Sequence, residues 1–202
     1  MDGADRQSDP RHEKGTAAVF LDRDGVLNVK LPEGRYVKTP EELIMLPGAV
    51  SGLRLLKQLG YLLVVVTNQR GIALGYMDDH DLGRVHERLR ERLAAHGVAL
   101  DGIYYCPHDN DAACDCRKPQ SGMLYRASKE LGISLGASYM VGDSTKDVEA
   151  GRNAGTKTVR ISTDHDAQAD FTFPTLMDFA LFLKNNGRTA DADAACIRKA
   201  EG

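Results

Sequence analysis

Ala18-Val19-Phe20-Leu21-Asp22-Arg23-Asp24-Gly25-Val26 is the stretch from which the fold of this chain can be read. An apolar run meets two carboxylates one residue apart, then a glycine. Successive residues of an extended chain face opposite sides, so Asp22 and Asp24 share a side wherever the strand continues through them. Two carboxylates at the end of a buried strand are costly unless a cation holds them. Their economical use is a Mg²⁺ site in which one carboxylate attacks phosphorus. A strand that ends in a polar Asp-Gly turn has the same local sequence. The rest of the chain decides between the two.

Working outward, apolar strand-like runs alternate with amphipathic helical stretches. Strands are expected at 17–21, 61–66, 102–105, 138–141 and 157–161, with an edge strand at 170–173. The run at 61–66 is apolar on both faces, as in a central parallel strand. Thr39-Pro40-Glu41-Glu42 reads as a capping box with proline at the first helical position. Helices are expected from Gly48 to Gly60, from Asp78 or Asp79 to about His96, from Ser121 to Leu131, from Ser144 to Ala154 and over 174–183. This order predicts a doubly wound, mainly parallel α/β sheet. Residues 16–184 form the expected domain, between flexible segments at 1–15 and 185–202.

The 202 residues suffice for one sizeable core, and the net charge of −3 argues against a nucleic-acid surface. Residues 1–15 are polar and charged, without the apolar centre of a signal peptide, and no run is long enough to span a bilayer. A soluble, cytoplasmic monomer is expected, without a nucleic-acid or membrane partner. Cys196 stands alone in a polar stretch and carries no specific expectation.

Ligands of doubly wound sheets bind beyond the carboxyl ends of the strands. Polar residues sit at each such end: Asp22 and Asp24, then Thr67-Asn68-Gln69, then Arg117-Lys118, then Asp143. Each has a bland reading alone, as a turn, a solvated pair or a helix cap. Together they suit phosphoryl transfer, which needs an in-line nucleophile, a cation and donors for the equatorial oxygens. Asp22 can attack phosphorus. Asp24 can protonate the leaving oxygen and then deprotonate water. Asp143 can complete the Mg²⁺ site, while Thr67 and Lys118 stabilise the transferred group. Asp147, one turn further on, is either a partner for Lys118 or a metal-bound water, or an exposed helical aspartate.

With Asp-Arg-Asp-Gly-Val, Thr67-Asn68, Lys118 and Gly142-Asp143-Ser-Thr-Lys-Asp147 in this order, the chain resembles the haloacid dehalogenase superfamily of phosphatases over roughly 16–162. The resemblance implies the roles above, and that Asp24 gives Mg²⁺ its backbone carbonyl. A narrower resemblance lies in Val64-Val-Val-Thr-Asn-Gln-Arg-Gly-Ile-Ala73, Tyr104-Tyr-Cys-Pro-His108 and Cys114-Asp-Cys-Arg-Lys-Pro119. These look like the D-glycero-D-manno-heptose 1,7-bisphosphate 7-phosphatases, with histidinol-phosphate phosphatases as close relatives. The likeness implies hydrolysis of the 7-phosphate through an aspartyl phosphate, in nucleotide-activated heptose biosynthesis. It places Asn68, Gln69, Arg70 and Arg117 at substrate contacts, Arg117 on the remote phosphate. Histidinol phosphate is the alternative substrate, and a nucleic-acid 3′-phosphate a more distant one. Ser144 departs from relatives that carry lysine there.

Cys106-Pro107-His108 and Cys114-Asp115-Cys116 are two close ligand pairs across a short loop, which suits a tetrahedral Cys₃His zinc site. Four protein ligands leave no open position, so this zinc would be structural. A Cys106–Cys116 disulfide or free thiols are the alternatives. The loop runs into Arg117-Lys118, so metal there would fix the backbone that presents both cations. The stretches between Asp24 and Thr67 and between Thr67 and Lys118 leave no room for a cap domain. Lys30, Arg35, Lys38, Arg70 and Arg117 gather near the strand ends of an acidic protein. A small, multiply anionic metabolite such as a sugar bisphosphate fits, although Lys30, Arg35 and Lys38 singly read as solvated flap residues.

Overall fold

The computed structural model describes residues 15–187. Apart from their inner ends, the segments expected at 1–15 and 185–202, Cys196 included, lie outside the described residues. The strands are β1 (Ala18–Leu21), β2 (Leu62–Asn68), β3 (Gly102–Cys106), β4 (Tyr139–Gly142), β5 (Lys157–Ile161) and β6 (Phe171–Phe173). The helices are α1 (Ala49–Gln58), α2 (Asp79–Ala94), α3 (Gly122–Leu131), α4 (Thr145–Ala154) and α5 (Leu176–Asn186). The strands form one sheet in the order β3-β2-β1-β4-β5-β6, and every neighbouring pair is parallel.

β1 sits at the centre because it can: all four of its residues are fully buried, and its two faces feed two cores. Val19 and Leu21 pack with residues of α1, α2 and α5. Ala18 and Phe20 pack with Met123, Leu124 and Ala127 of α3 and with Ala150 and Ala154 of α4. Burying an aliphatic or aromatic side chain of this size contributes about 1.5–3 kcal/mol, so β1 is an anchor for everything beyond its carboxyl end. The winding reverses between β1 and β4, and in such sheets that switch point is where a crevice opens.

Local signals set the helix ends. Asp78 caps α2, accepting from the Asp81 N–H at 2.8 Å, while the Asp81 carboxylate accepts from Asp78 N at 3.3 Å. The Thr39 box is present, but it heads only one 3-10 turn, Pro40–Glu42, inside the flap between β1 and α1. Several boundaries differ from expectation. Thr67 and Asn68 are the last residues of β2 rather than residues beyond it, because they pair in register with Tyr105 and Cys106 of β3. α2 stops at Ala94, two residues early, and Gly97 takes a left-handed φ of 72°. α5 begins at Leu176, where the Thr175 hydroxyl accepts from Asp178 N, and it continues to Asn186. Between β1 and α1 the flap holds no helix longer than the 3-10 turn Pro40–Glu42.

Candidate active site

Asp22 leaves β1 at the switch point, tied down by a bond from its N–H to Val141 O of β4 at 2.9 Å. Lys118 reaches it from the loop that follows the edge strand β3. Its Nζ lies 2.9 Å from Asp22 Oδ1 and 2.6 Å from Asp147 Oδ1, and donates to Val66 O at 2.8 Å. Lys118 and Asp147 are both nearly fully buried. Burial alone would push the Lys118 ammonium down, but Asp147 and Asp22 outweigh it and hold the group charged. Burial pushes the Asp22 carboxyl up to about 7, aided by Asp147 and Asp24 and opposed by Lys118. Asp147 is therefore a buried partner of Lys118 and not an exposed helical residue. Ser144 serves it in turn, donating from its N–H at 3.0 Å and its hydroxyl at 2.5 Å to Asp147 Oδ2 at the start of α4.

Asp22, Asp143 and Asp147 bring one oxygen each within 4.8 Å of one another. Asp143 Oδ1 is buried and has no hydrogen-bond partner. Asp143 Oδ2 receives the ammonium of Lys30 from the flap at 2.7 Å. Hard oxygen donors with a partnerless carboxylate oxygen fit a hexacoordinate Mg²⁺ ion. Two glycines allow the approach. A Cβ on Gly25, whose φ is +93°, would stand 2.4 Å from Asp143 Oδ2, and one on Gly142 would stand 2.1 Å from Asp147 Cβ.

β1 ends at Leu21, so Asp22 and Asp24 line the same cleft without continuing the strand. Their partners differ. Asp24 accepts from Arg23 Nη2 at 2.9 Å, Asn28 Nδ2 at 2.8 Å and Gln69 Nε2 at 3.1 Å. Burial pushes its carboxyl up, but Arg23 and these donors outweigh burial and hold it below the ordinary value. Sequence reasoning missed Arg23, Asn28 and His86. Arg23 is wholly buried, and its Nη1 lies 3.3 Å from His86 Nε2 of α2.

The expected substrate contacts separate into two kinds. Asn68 and Gln69 line the cleft but are engaged within the protein. Asn68 grips the Lys118 backbone twice, donating to its carbonyl at 3.1 Å and accepting from its N–H at 3.0 Å. Gln69 is buried and donates to Thr67 Oγ1 at 2.9 Å as well as to Asp24. Arg70 does not line the cleft; it forms an ion pair with Asp109 of the Cys/His loop. Arg117 is on the cleft wall; its Nη1 donates to His108 O at 3.1 Å and its Nε to Asn110 Oδ1 at 3.1 Å. The cleft has a volume of about 480 Å³, and Lys30, Arg35, Arg117 and Lys146 stand on its walls alongside Glu33. Lys38 is not among the lining residues; its N–H bonds Glu42.

The four loop residues Cys106, His108, Cys114 and Cys116 converge, with the cysteines as free thiols. Cys106 Sγ is 3.8 Å from Cys114 Sγ and 3.5 Å from His108 Nδ1, and His108 Nδ1 is 3.3 Å from Cys116 Sγ. A tetrahedral zinc with S bonds of about 2.3 Å and N bonds of about 2.0 Å has S···S edges near ~3.8 Å and S···N edges near ~3.5 Å. The cluster therefore fits zinc, and the free thiols exclude the Cys106–Cys116 disulfide.

A family model for HAD-hydrolase-like proteins matches residues 115–179, the part that carries Lys118, Asp143 and Asp147. The D-glycero-beta-D-manno-heptose-1,7-bisphosphate 7-phosphatase of Pasteurella multocida is 42% identical over 180 residues, 83% of this chain and 96% of that protein. The enzyme of the same name from Photorhabdus laumondii is 40% identical over 85% of this chain and 97% of its own length. The chain belongs to the D-glycero-beta-D-manno-heptose-1,7-bisphosphate 7-phosphatase family. As a member it is a phosphatase of the haloacid-dehalogenase-like hydrolases. The crystal structure of D,D-heptose 1,7-bisphosphate phosphatase from B. bronchiseptica, complexed with magnesium and phosphate, superposes with a TM-score of 0.78 at 30% identity, covering 85% of this chain and all of that one. The match agrees with the parallel six-stranded α/β fold described above.

Proposed function

We propose that this chain removes the 7-phosphate of D-glycero-β-D-manno-heptose 1,7-bisphosphate through an aspartyl phosphate on Asp22. The observation that carries the reading is the convergence of Asp22, Asp143 and the buried Lys118–Asp147 pair at the switch point. The relatives' names supply the substrate and its anomer. Asp22, Asp143 and the Asp24 carbonyl would hold Mg²⁺, which would neutralise phosphate charge and orient the phosphoryl group.

In the first step an Asp22 oxygen bonds to phosphorus while the bond to the sugar oxygen breaks. Asp24 gives the departing oxygen its proton. Arg23 keeps Asp24 ionised in the free site; a phosphate dianion brought alongside raises its affinity for a proton, as a like charge does. In the second step water attacks the aspartyl phosphate, surrenders a proton to Asp24, and releases phosphate and Asp22. Lys118 and the Thr67 hydroxyl stabilise the equatorial oxygens. Arg117 is the candidate for the remote phosphate, and its fork suits bidentate contact. Asn68 and Gln69, which both line the cleft, support this reading as holders of Lys118, Thr67 and Asp24.

Zinc held by Cys106, His108, Cys114 and Cys116 would fix the loop whose Asn110 and His108 carbonyl orient Arg117. The proposal includes a cytoplasmic monomer built on residues 16–184. Among the described residues no helix is long and apolar enough to cross a membrane.

A panel of phosphorylated metabolites tests the assignment. Heptose 1,7-bisphosphate should give the highest kcat/KM with Mg²⁺, above histidinol phosphate and above a 3′-phosphorylated oligonucleotide. Preference for histidinol phosphate would transfer the assignment to that substrate.

A further inference from the structure

We infer that Arg23 and His86 form a positioning pair for Asp24, in which His86 backs the Arg23 guanidinium and the guanidinium fixes the Asp24 carboxylate where proton transfer takes place. The inference rests on the acid–base role proposed above for Asp24. Neither Arg23 nor His86 lines the cleft.

Arg23 is fully buried, between two cleft aspartates. A buried guanidinium demands acceptors on every side, because an unpaired buried charge costs several kcal/mol. Asp24 takes Nε at 3.3 Å and Nη2 at 2.9 Å, a two-pronged grip that sets the plane of the carboxylate. Gln69 Oε1 lies 3.4 Å from Nη2. The remaining prong, Nη1, faces His86 Nε2 at 3.3 Å. A guanidinium has no lone pair to offer, so Nε2 must accept and the imidazole must be neutral with its proton on Nδ1. Burial, with Arg23 adding to it, pushes the His86 imidazole down to about 3, which agrees with that state.

His86 is itself held. It lies on the buried face of α2 between Val85 and Leu89, and its ring packs 5.9 Å from that of Tyr105. The Tyr105 hydroxyl donates to Asp79 Oδ1 at 2.8 Å, in the first turn of the same helix. A leucine at position 86 would satisfy the apolar surroundings but strand one guanidinium N–H and free the guanidinium to rotate. The Asp24 carboxylate would then lose its defined plane. Misplacement of a proton-transfer group by a fraction of an ångström to 1 Å is enough to slow its step severalfold to a hundredfold.

Asp24 donates a proton to the leaving oxygen, so its misplacement should hurt poor leaving groups most. The experiment compares single-turnover phosphorylation by heptose 1,7-bisphosphate, whose alkoxide needs a proton, with p-nitrophenyl phosphate, whose phenolate does not. Asp24→Asn is the benchmark and must lose far more on the sugar than on the aryl ester. His86→Leu should lose on the order of 10-fold on the sugar with KM little changed, and less than about 2-fold on the aryl ester. His86→Gln, whose amide oxygen can accept from Nη1, should restore most of the rate. Arg23→Lys keeps the charge without the fork and should repeat the His86→Leu signature, which keeps the test available if His86→Leu does not fold. Equal losses on both esters in His86→Leu and Arg23→Lys, with Asp24→Asn discriminating, would overturn the inference and leave the pair structural. An Asp24→Asn variant that does not discriminate would overturn the acid–base reading, and the inference with it.

Discussion

At Asp22 the proposed chemistry makes its sharpest demand. Asp22→Asn removes the attacking oxygen's charge while the Asp22 N–H bond to β4 stays in place, so turnover should vanish with the circular dichroism spectrum unchanged. Asp24→Asn should cost at least ~10²-fold in kcat. His86 makes a separate claim on stability. Its imidazole is pushed down to about 3 by burial in the folded protein, against about 6.5 for a free histidine. Between those values the unfolded chain binds a proton that the folded protein refuses. The folded state therefore loses about 1.4 kcal/mol per pH unit below 6.5, or roughly 2 kcal/mol by pH 5. Denaturant unfolding should show this fall in the wild type and a flatter profile in His86→Gln. The residues proposed for the chemistry were legible in sequence because Asp22, Thr67 and Asp143 lie at or beside strand ends and Lys118 follows the Cys/His loop. Arg23 and His86 were not, because nothing local marks an arginine between two aspartates as buried, and its partner lies on another helix.

The Cys/His loop and the flap carry the next two predictions. Cys114→Ser should lower both zinc content, expected at about one per chain, and thermal stability. Full metal content in that variant would remove Cys114 from the site. Since Arg117 leans on Asn110 and on His108 O, the same variant should also raise KM. In the flap, Lys30 holds the carboxylate that a cation would need. Lys30→Ala should therefore lower the Mg²⁺ concentration for half-maximal activity severalfold; an unchanged or higher requirement would mean that the ammonium does not compete. The ligand spacing of the loop could be read from sequence because metal sites demand it. The direction of Lys30 could not, because a flexible side chain in a loop has no periodicity to place it. The sequence puts Thr67 and Asn68 beyond β2 for a similar reason: polar residues read as a strand's end, whereas pairing with β3 carries the strand two residues further.

Across the whole molecule, the strand order brings residues far apart in sequence to one crevice; the alternation of strands and helices made the doubly wound parallel class legible, though not the order itself. With no cap domain among the described residues, the loops around the cleft are left to set specificity in the proposed reaction. Lys118 and Arg117 are neighbours with different tasks in this scheme. Lys118→Ala should cripple mono- and bisphosphates alike. Arg117→Ala should cost roughly 10–100-fold in kcat/KM on the bisphosphate, the worth of a charge-assisted contact of about 1.5–3 kcal/mol, and spare small monophosphates. Equal losses on both would remove the remote-phosphate role. The regiochemistry of the wild-type reaction tests the central claim most directly. ³¹P NMR of D-glycero-β-D-manno-heptose 1,7-bisphosphate incubated with enzyme and Mg²⁺ should show the 7-phosphate signal replaced by inorganic phosphate while the anomeric 1-phosphate persists. Loss of the 1-phosphate signal, or two intact phosphates after prolonged incubation with active enzyme, would contradict it.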